Sequence, residues 1–452
     1  MGLTGDQQPP TTDFTDGRIP VLGPAPVFDA GSWAARLPKN GVGPSTVRVA
    51  LYSHDTMGLG HARRNLSLAQ ALSGSDRQVD ILLITGNRET SAFQMPPGAD
   101  CLTIPSIHKA SDGSYRARRL DMSLQELIVM RGNLIRTALE SFQPDVFIVD
   151  NVPRGAVREL DPALQALRQS GQTQCVLGLR DILDAPAIVD REWSKAGNYS
   201  AIRRYFDQIW VFGDPAVYDP VVEYGFPSDI AAKVRYTGYL DQCARLNLDE
   251  ATGRDLLAGL NLPDGKLALC MVGGGQDGSR VAEAFAQADL PSGTNGVVLT
   301  GPFMPEETQR RLRGYAVSNP RLRILDFVQE PGFLMQRADS VVAMGGYNTV
   351  CEVLSYNKRA LIVPRVRPRE EQHIRARRLS ELGKLDMLHP DCLSPARLSA
   401  WLADERTGPG NDVTIDRNGL ERLPQLLDEL LTPAAAWSNG QVCNEESQYA
   451  AL

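Results

Sequence analysis

The chain has 452 residues, enough for two large domains, and its 42% hydrophobic and 22% charged residues are ordinary for a globular enzyme. A net charge of −7 argues against wholesale binding to nucleic acid. Seven scattered cysteines without a CxxC pair argue against a disulfide framework or zinc site, and the lack of a bilayer-length apolar run or a secretion signal predicts a cytoplasmic protein.

The first half of the chain predicts a tail followed by a βαβ domain. Residues 1–45, rich in Pro, Gly, Asp and Thr, predict a flexible tail. In residues 46–240, apolar runs alternate with helical segments, which is typical of a parallel sheet. The predicted strands are Val47–Tyr52, Val79–Thr85, Asp145–Asp150, Cys175–Leu179 and Ile209–Phe212, and the predicted helices are Ala62–Ser73 and Leu120–Phe142.

The second half repeats this organisation after a looser stretch at Tyr236–Pro263, which predicts a linker. Residues 241–405 predict a second βαβ domain, and residues 406–452 a polar loop, a closing helix at Leu420–Leu431 and a tail. The predicted strands are Leu267–Val272, Val297–Thr300, Leu322–Leu325, Ser340–Ala343 and Ala360–Val363, and the predicted helices are Ser279–Ala288, Tyr347–Ser355 and Glu370–Leu382. We therefore expect an α/β protein with two Rossmann-like domains facing a cleft, where ligands bind at the carboxyl ends of the strands.

The most informative motif is Met344–Glu352. Gly345 and Gly346 separate a buried strand from a helix, so a ligand can approach the backbone, and the free N–H groups of the helix favour a phosphate. Glu352 lies about one and a half turns into that helix, where its carboxylate suits the hydroxyls of a ribose. The motif predicts a nucleotide site.

A glycine-rich turn also joins the first strand to the first helix. Its string Gly58–Arg63 nearly matches GxGxxG, but Arg63 replaces the third glycine, and no ribose-binding acid follows the strand that ends at Thr85. A dehydrogenase is therefore a poor fit. The turn places His61 at the mouth of the cleft, where a histidine suits proton abstraction from an alcohol. His54 is a weaker candidate, and a purely structural role for His61 is the alternative.

Glycines recur at Gly273–Gly275, again after a strand, and suggest close backbone approach to phosphate. The segment Arg365–Arg378 holds six arginines. Its first half should line the cleft, and Glu371 and Gln372 suit sugar hydroxyls. The later arginines, at helical spacing, predict a solvated face.

A second basic segment, Ser106–Leu120, lies in the first domain. It is either a mobile surface loop or a place to capture an anionic acceptor or a lipid headgroup at the inner face of the membrane. Its basic residues are Lys109, Arg116, Arg118 and Arg119.

No Asp-x-Asp pair occurs in the sequence, so the usual carboxylate clamp for a metal on a nucleotide diphosphate is missing. Helix N-termini and backbone N–H groups would then stabilise a leaving diphosphate, which predicts chemistry without a metal or other cofactor.

Residues 47–405 resemble the GT-B glycosyltransferases, most closely the branch that contains MurG and its MurG-like bacterial relatives. In this resemblance the first glycine loop matches Met57–His61, so Gly58 and Gly60 imply diphosphate contacts and His61 a candidate base. The family's GGSQG loop matches Gly273–Asp277, with Gly275 in place of the serine and Gln276 retained.

The resemblance assigns further roles in the second domain. The start of the helix, with Gly346, Tyr347, Asn348 and Thr349, implies phosphate binding, and Glu352 ribose binding. The nucleotide base would lie against Phe327 and Val328. The family's paired glutamines, which contact the donor sugar, fall on Glu371 and Gln372, so only the second is retained and the identity of the sugar is open.

The resemblance implies a hexosyltransferase that inverts the anomeric carbon and takes its sugar from a UDP-linked donor. An acceptor hydroxyl, deprotonated by His61 or by a carboxylate such as Asp150 or Asp181, would attack the sugar. A non-hydrolysing nucleotide-sugar epimerase shares this fold and donor site, and a non-catalytic nucleotide-sugar-binding protein is the third possibility. The identity of the acceptor is open.

Overall fold

The structure, a computed structural model, describes residues 46–54, 60–109, 115–245, 250–275, 277–328, 330–405 and 413–432. The predicted tail of residues 1–45, Gly58, Gln276 and residues 433–452 lie outside this part of the chain. In the described part, no helix is long and apolar enough to cross a membrane. The cytoplasmic location and the membrane contact stay predictions.

The first half of the described chain forms alternating strands and helices, as predicted. The strands are β1 (Val47–Ser53), β2 (Val79–Thr85), β3 (Ala99–Thr103), β4 (Ile107–Lys109), β5 (Tyr115–Ala117), β6 (Val146–Asp150), β7 (Gln174–Arg180), β8 (Gln208–Phe212) and β9 (Val234–Tyr236). The helices are α1 (Gly60–Ser73), α2 (Leu124–Phe142), α3 (Asp161–Ser170), α4 (Pro186–Ala196), α5 (Asn198–Tyr205), α6 (Pro220–Glu223) and α7 (Ser228–Ala231).

Strands of this half form a parallel sheet in the order β3-β2-β1-β6-β7-β8-β9, while β4 and β5 form a separate antiparallel hairpin. The central strands are buried on both faces. In β1, for example, Val49 and Leu51 face one apolar core and Ala50 and Tyr52 face another. This explains the continuous apolar runs of the sequence, because a parallel sheet is covered by helices on both sides.

The second half repeats the pattern. Its strands are β10 (Lys266–Met271), β11 (Thr294–Leu299), β12 (Leu322–Leu325), β13 (Ser340–Ala343), β14 (Arg359–Ile362) and β15 (Asp386–Met387). Its helices are α8 (Gln242–Arg245), α9 (Glu250–Gly259), α10 (Ser279–Ala286), α11 (Glu306–Ser318), α12 (Gly332–Arg337), α13 (Tyr347–Ser355), α14 (Glu371–Glu381), α15 (Pro395–Ala403) and α16 (Gly419–Leu431).

These strands form a second parallel sheet in the order β12-β11-β10-β13-β14-β15, the classical doubly wound order. The prediction of two Rossmann-like domains facing a cleft is confirmed. Ligands of such sheets bind beyond the carboxyl ends of the strands, where β10, β13 and β14 lead into Gly273, Gly346 and Arg365.

Element boundaries differ from the prediction where local capping decides them. Helix α2 begins at Leu124 rather than Leu120, because Ser123 and Glu126 form a reciprocal capping box at its N-terminus. The predicted closing helix is present as α16, and it packs against α1 of the first domain. Its apolar residues Leu420, Leu423 and Leu427 join the core that also holds the inner faces of β1 and β10.

Candidate active site

A cavity of about 300 Å³ lies between the two sheets. From the first domain it is lined by Gly60, His61, Arg63, Arg64 and Arg180. From the second domain it is lined by Met271, Gly273, Gly274, Leu299, Gly301, Pro302, Phe327, Val328, Pro331, Gly346, Tyr347, Asn348, Thr349, Glu352, Arg365, Glu371, Gln372 and Arg375.

The cavity brings together most of the residues predicted for the site, including His61, Glu352, Glu371 and Gln372. Gly275, which is predicted to bind the diphosphate, is not among the residues that line the cavity. Its φ is +91°, and a Cβ there would lie 2.2 Å from the carbonyl oxygen of Thr300, so this glycine is needed to form the turn behind the cavity.

His61 is held by the carboxylate of Asp150, at the end of β6. Its Nδ1 hydrogen-bonds Asp150 Oδ2, and the side chain of His61 is 17% exposed. Arg64, one turn further along α1, donates from Nε to Asp150 Oδ1 at 3.0 Å. An ionised carboxylate only accepts, so Nδ1 of His61 must donate, which leaves Nε2 with a lone pair. This arrangement can remove a proton from a substrate hydroxyl.

Asp150 stays ionised in this interior position. Burial alone would raise its pKa, but the positive charge of Arg64 and the hydrogen bonds from His61 and Arg64 outweigh burial and hold the pKa of Asp150 well below its usual range. An ionised Asp150 in this position can hold the ring of His61 in one orientation. His54, the weaker candidate, is buried beside His61, and burial lowers its pKa well below 6.5.

Asp181, the other predicted alternative base, is fully buried and saturated with donors. Arg375 donates to it from Nε at 2.8 Å and from Nη2 at 2.6 Å, and the Tyr239 hydroxyl donates at 2.9 Å. A carboxylate so enclosed holds the two domains together and cannot reach a substrate.

The start of α13 faces His61 across the cavity. Gly346 precedes the helix with an ordinary φ of −63°, and a Cβ there would meet nothing within 4 Å, so the turn leaves open space at the helix N-terminus. Asn348 donates from Nδ2 to the Gly60 carbonyl at 3.0 Å and so bridges the domains. Tyr347 is buried between Arg64 and Arg375, so only its backbone N–H is suited to a phosphate.

Glu352 and Phe327 mark the second-domain end of the cavity. Glu352 lines it from α13 and is 5% exposed, so a ligand that reaches the carboxylate is itself largely buried. Phe327, after β12, is 48% exposed, an unusual position for a large aromatic side chain. With Val328 it forms an apolar rim that suits a flat base.

Glu371 and Gln372, at the start of α14, also line the cavity from the second domain. Arg365 forms an ion pair with Glu371 Oε1, and its backbone N–H donates to Gln372 Oε1 at 3.1 Å. Glu371 is buried, and its Oε2 has no hydrogen-bond partner in the described part of the chain. A buried carboxylate oxygen without a partner suits a hydroxyl donated by a ligand.

Of the later arginines of this segment only Arg377 is exposed, so the prediction of a solvated face is wrong for Arg375 and Arg378. Arg375 is fully buried against Asp181, and it also donates to the Gly345 carbonyl at 2.8 Å. Arg369 pairs with Asp184 at 3.0 Å, and Arg378 pairs with Glu223. The acidic partners all belong to the first domain, so α14 and the residue Arg369 before it add to the contacts between the two domains.

The cavity is strongly suited to an anion. Helices α1, α13 and α14 begin at its wall, and each N-terminus carries a partial positive charge. Sequence reasoning missed Arg64 and Arg180. The position of Arg64 three residues after His61, on the same face of α1, was an available signal, as was the position of Arg180 at the end of a strand.

Two further predictions concern the absence of a metal and the basic segment of the first domain. No group of three or more His, Cys, Asp or Glu in the described residues is arranged to hold a metal, and metal-independent chemistry stays a prediction. In the basic segment of the first domain, Arg116, Arg118 and Arg119 are exposed, and residues 110–114 lie outside the description. Arg118 lies over the ring of Phe303 at 5.8 Å, across the cleft.

Comparison with known proteins bears on the second domain most directly. Residues 269–428 match the glycosyltransferase family 28 C-terminal domain. The matched residues contain Gly273, Gly346, Glu352 and Gln372, which line the cavity. No curated protein matches the sequence.

Solved structures resemble the whole two-domain arrangement at low sequence identity. S. aureus MnaA, solved with UDP, has a TM-score of 0.57 at 13% identity, over 85% of this chain and 97% of that one. The UDP-GlcNAc 2-epimerase of Neisseria meningitidis has a TM-score of 0.55 at 13% identity, over 86% and 99%. MurG of Acinetobacter baumannii has a TM-score of 0.52 at 16% identity, over 85% and 99%. The chain has the GT-B fold.

Proposed function

We propose that the protein is an inverting, metal-independent glycosyltransferase that moves a hexose from a UDP-linked donor to an acceptor hydroxyl. One observation carries the proposal: a histidine oriented by a buried carboxylate faces a glycine-lined helix start across a single cavity. Transfer from a nucleoside-diphosphate sugar requires a base for the acceptor and an anion-binding site for the leaving diphosphate, and the two walls of the cavity offer one each.

The second domain offers a binding residue for each part of the donor. Its diphosphate lies at the N-terminus of α13, against Gly346 and the backbone of Gly273 and Gly274. The ribose hydroxyls hydrogen-bond Glu352, and the base lies against Phe327. The sugar then points towards Glu371 and Gln372. The Glu371 carboxylate accepts hydrogen bonds from the sugar hydroxyls, and the Gln372 amide can donate to them.

Transfer is a single displacement. Nε2 of His61 takes the proton of the acceptor hydroxyl as its oxygen forms a bond to the anomeric carbon. The bond from that carbon to the diphosphate oxygen breaks, and the electron pair leaves with the nucleoside diphosphate. Asp150 stabilises the imidazolium that forms, and the start of α13 stabilises the leaving group.

Calorimetry of the protein with UDP, GDP, dTDP and NAD, in the presence of EDTA, tests the donor site. We expect UDP to bind even with EDTA present, because protein groups alone make all the proposed contacts with the donor. Binding of NAD alone, or of no nucleotide, would overturn the proposal, and binding that needs a divalent cation would overturn its metal-independent part.

Turnover assays then separate the alternatives. In the presence of a UDP-sugar alone, a glycosyltransferase releases UDP slowly, whereas an epimerase would change the sugar without releasing UDP. The His61→Ala variant should lose turnover and keep its affinity for UDP. If turnover stays within about a factor of two, His61 is not the base.

A further inference from the structure

Arg180 is a cation of the cavity that the proposed donor and base leave unused. It ends β7, lines the cavity and is only partly exposed. Its one hydrogen bond within the described residues goes to Oδ1 of Asn151, at 3.4 Å, which is long for a charged donor. Arginines in such positions normally have a carboxylate or phosphate partner.

Three other arginines of the cavity have acidic partners. Arg64 pairs with Asp150, Arg375 with Asp181, and Arg365 with Glu371 and Asp277. Arg180 has no ion-pair partner among the residues that the structure describes. Burial lowers the pKa of Arg180, and so do the nearby charges of Arg64 and Arg375, while the carboxylates of Glu371 and Asp150 act in the opposite direction. These carboxylates compensate the charge of Arg180 only partly, because neither forms an ion pair with it, so a bound anion would stabilise the guanidinium.

Arg180 lies near residues proposed for the base and for the donor sugar, because Asp150 and Glu371 are among the charges that act on its guanidinium. Its strand adjoins β6, which carries Asp150, the partner of His61. Asp181, the residue after Arg180, contacts Arg375 across the cleft. Arg375 belongs to α14, the helix that begins with Glu371. The element order thus brings Arg180 close to both the proposed base and the residues proposed for the donor sugar.

We propose that Arg180 binds an anionic group, a carboxylate or a phosphate, carried by the substrate close to the reacting hydroxyl. The inference rests on the proposed function and requires that one of its two substrates, in the first place the acceptor, carries an anionic group. The same chemistry could instead come from a hexuronic acid as the donor sugar. Planar Arg donors suit either group, because two N–H groups can bind two oxygens side by side.

Titration of inorganic phosphate into enzyme saturated with UDP tests the inference. We expect phosphate to bind beside UDP in the wild type, at least about tenfold more weakly in Arg180→Gln, and with partial recovery in Arg180→Lys. The matched control is Arg168→Gln, which removes one exposed arginine of the same domain outside the cavity. Its phosphate affinity should equal that of the wild type.

The outcomes separate the inference from the proposed function. If UDP does not bind the wild type, the proposed function fails. If UDP binds but phosphate does not bind beside it, or binds Arg180→Gln equally well, the inference is wrong. Weaker UDP binding by Arg180→Gln would also overturn it, since Arg180 would then serve the donor diphosphate.

Two further arms locate the anionic group. UDP-glucose and UDP-glucuronate are compared as ligands, and glycosides with a neutral, carboxylate or phosphate group at C6 are compared as acceptors. A preference of about tenfold or more for charged acceptors, lost in Arg180→Gln, places the group on the acceptor. An Arg180-dependent preference for UDP-glucuronate places it on the donor. Equal use of neutral and charged compounds in both arms contradicts the inference.

Discussion

Replacing Asp150 by Asn tests the geometry on which catalysis depends. The change keeps the shape of the side chain and removes the charge that accepts the proton of His61 Nδ1. A charge-assisted hydrogen bond is worth about 1.5–3 kcal/mol. At about 1.4 kcal/mol for each tenfold change in rate, kcat should fall about 10- to 150-fold. The fall is larger if the Asn amide turns its NH₂ to Nδ1, because the proton then moves to Nε2 and the base is lost.

The assay is UDP release from the tightest-binding UDP-sugar at saturation. Asp229→Asn is the matched control, because Asp229 pairs with Arg203 on the surface of the same domain. A kcat for Asp150→Asn within about twofold of the control would refute the orienting role of Asp150.

Stability must be separated from catalysis in this experiment. Arg64 is 3% exposed, so loss of its partner leaves a buried charge uncompensated and should cost about 3–5 kcal/mol in the free energy of unfolding. In the double variant Asp150→Asn, Arg64→Met, stability should recover while the rate stays low. Recovery of the rate as well would mean that Asp150 acts only through the fold.

Three further predictions concern donor binding, the domain contact and pH. Glu352→Ala should weaken UDP binding by about 1–3 kcal/mol in calorimetry, because the ribose hydroxyls lose a buried acceptor, and an unchanged affinity would contradict that role. Arg375→Met should lower the urea-unfolding free energy by about 3–5 kcal/mol, because Asp181 stays buried without its partner, and a loss below about 1 kcal/mol would contradict a buried ion pair. His54 stays neutral in the fold, because its pKa lies well below 6.5, whereas the unfolded chain takes up a proton. Between pH 7 and 5 this costs up to about 2 kcal/mol of stability, and unfolding curves of His54→Gln should show a correspondingly smaller loss.

The sequence predicts the two sheets because apolar runs and glycine turns are local signals. The positions of Gly346 and Glu352 follow from the same reasoning, since a helix start and a residue a turn and a half later occupy fixed places. The partner of His61 is less visible, because Asp150 lies 89 residues away and meets it only when β1 and β6 pair. Asp150 could be named only as one of several carboxylates at strand ends.

The arginines of α14 show where local reasoning fails. The later arginines of Arg365–Arg378 predict solvent exposure, because arginine is rarely buried without a partner. The partners exist, but Asp181 is 194 residues from Arg375 in sequence, and no local pattern connects them. Only the docking of the two domains shows which arginines are exposed and which are buried.

Arg375 also connects the domain contact to the donor site. The same guanidinium that binds Asp181 of the first domain donates to the carbonyl of Gly345, directly before the helix start proposed for the diphosphate. The position of the Gly345 turn therefore depends on the relative orientation of the two domains. Because coupling is reciprocal, a donor that orders the turn must also stabilise the domain contact. UDP should accordingly raise the unfolding temperature of the wild type by more than that of Arg375→Met at equal fractional saturation.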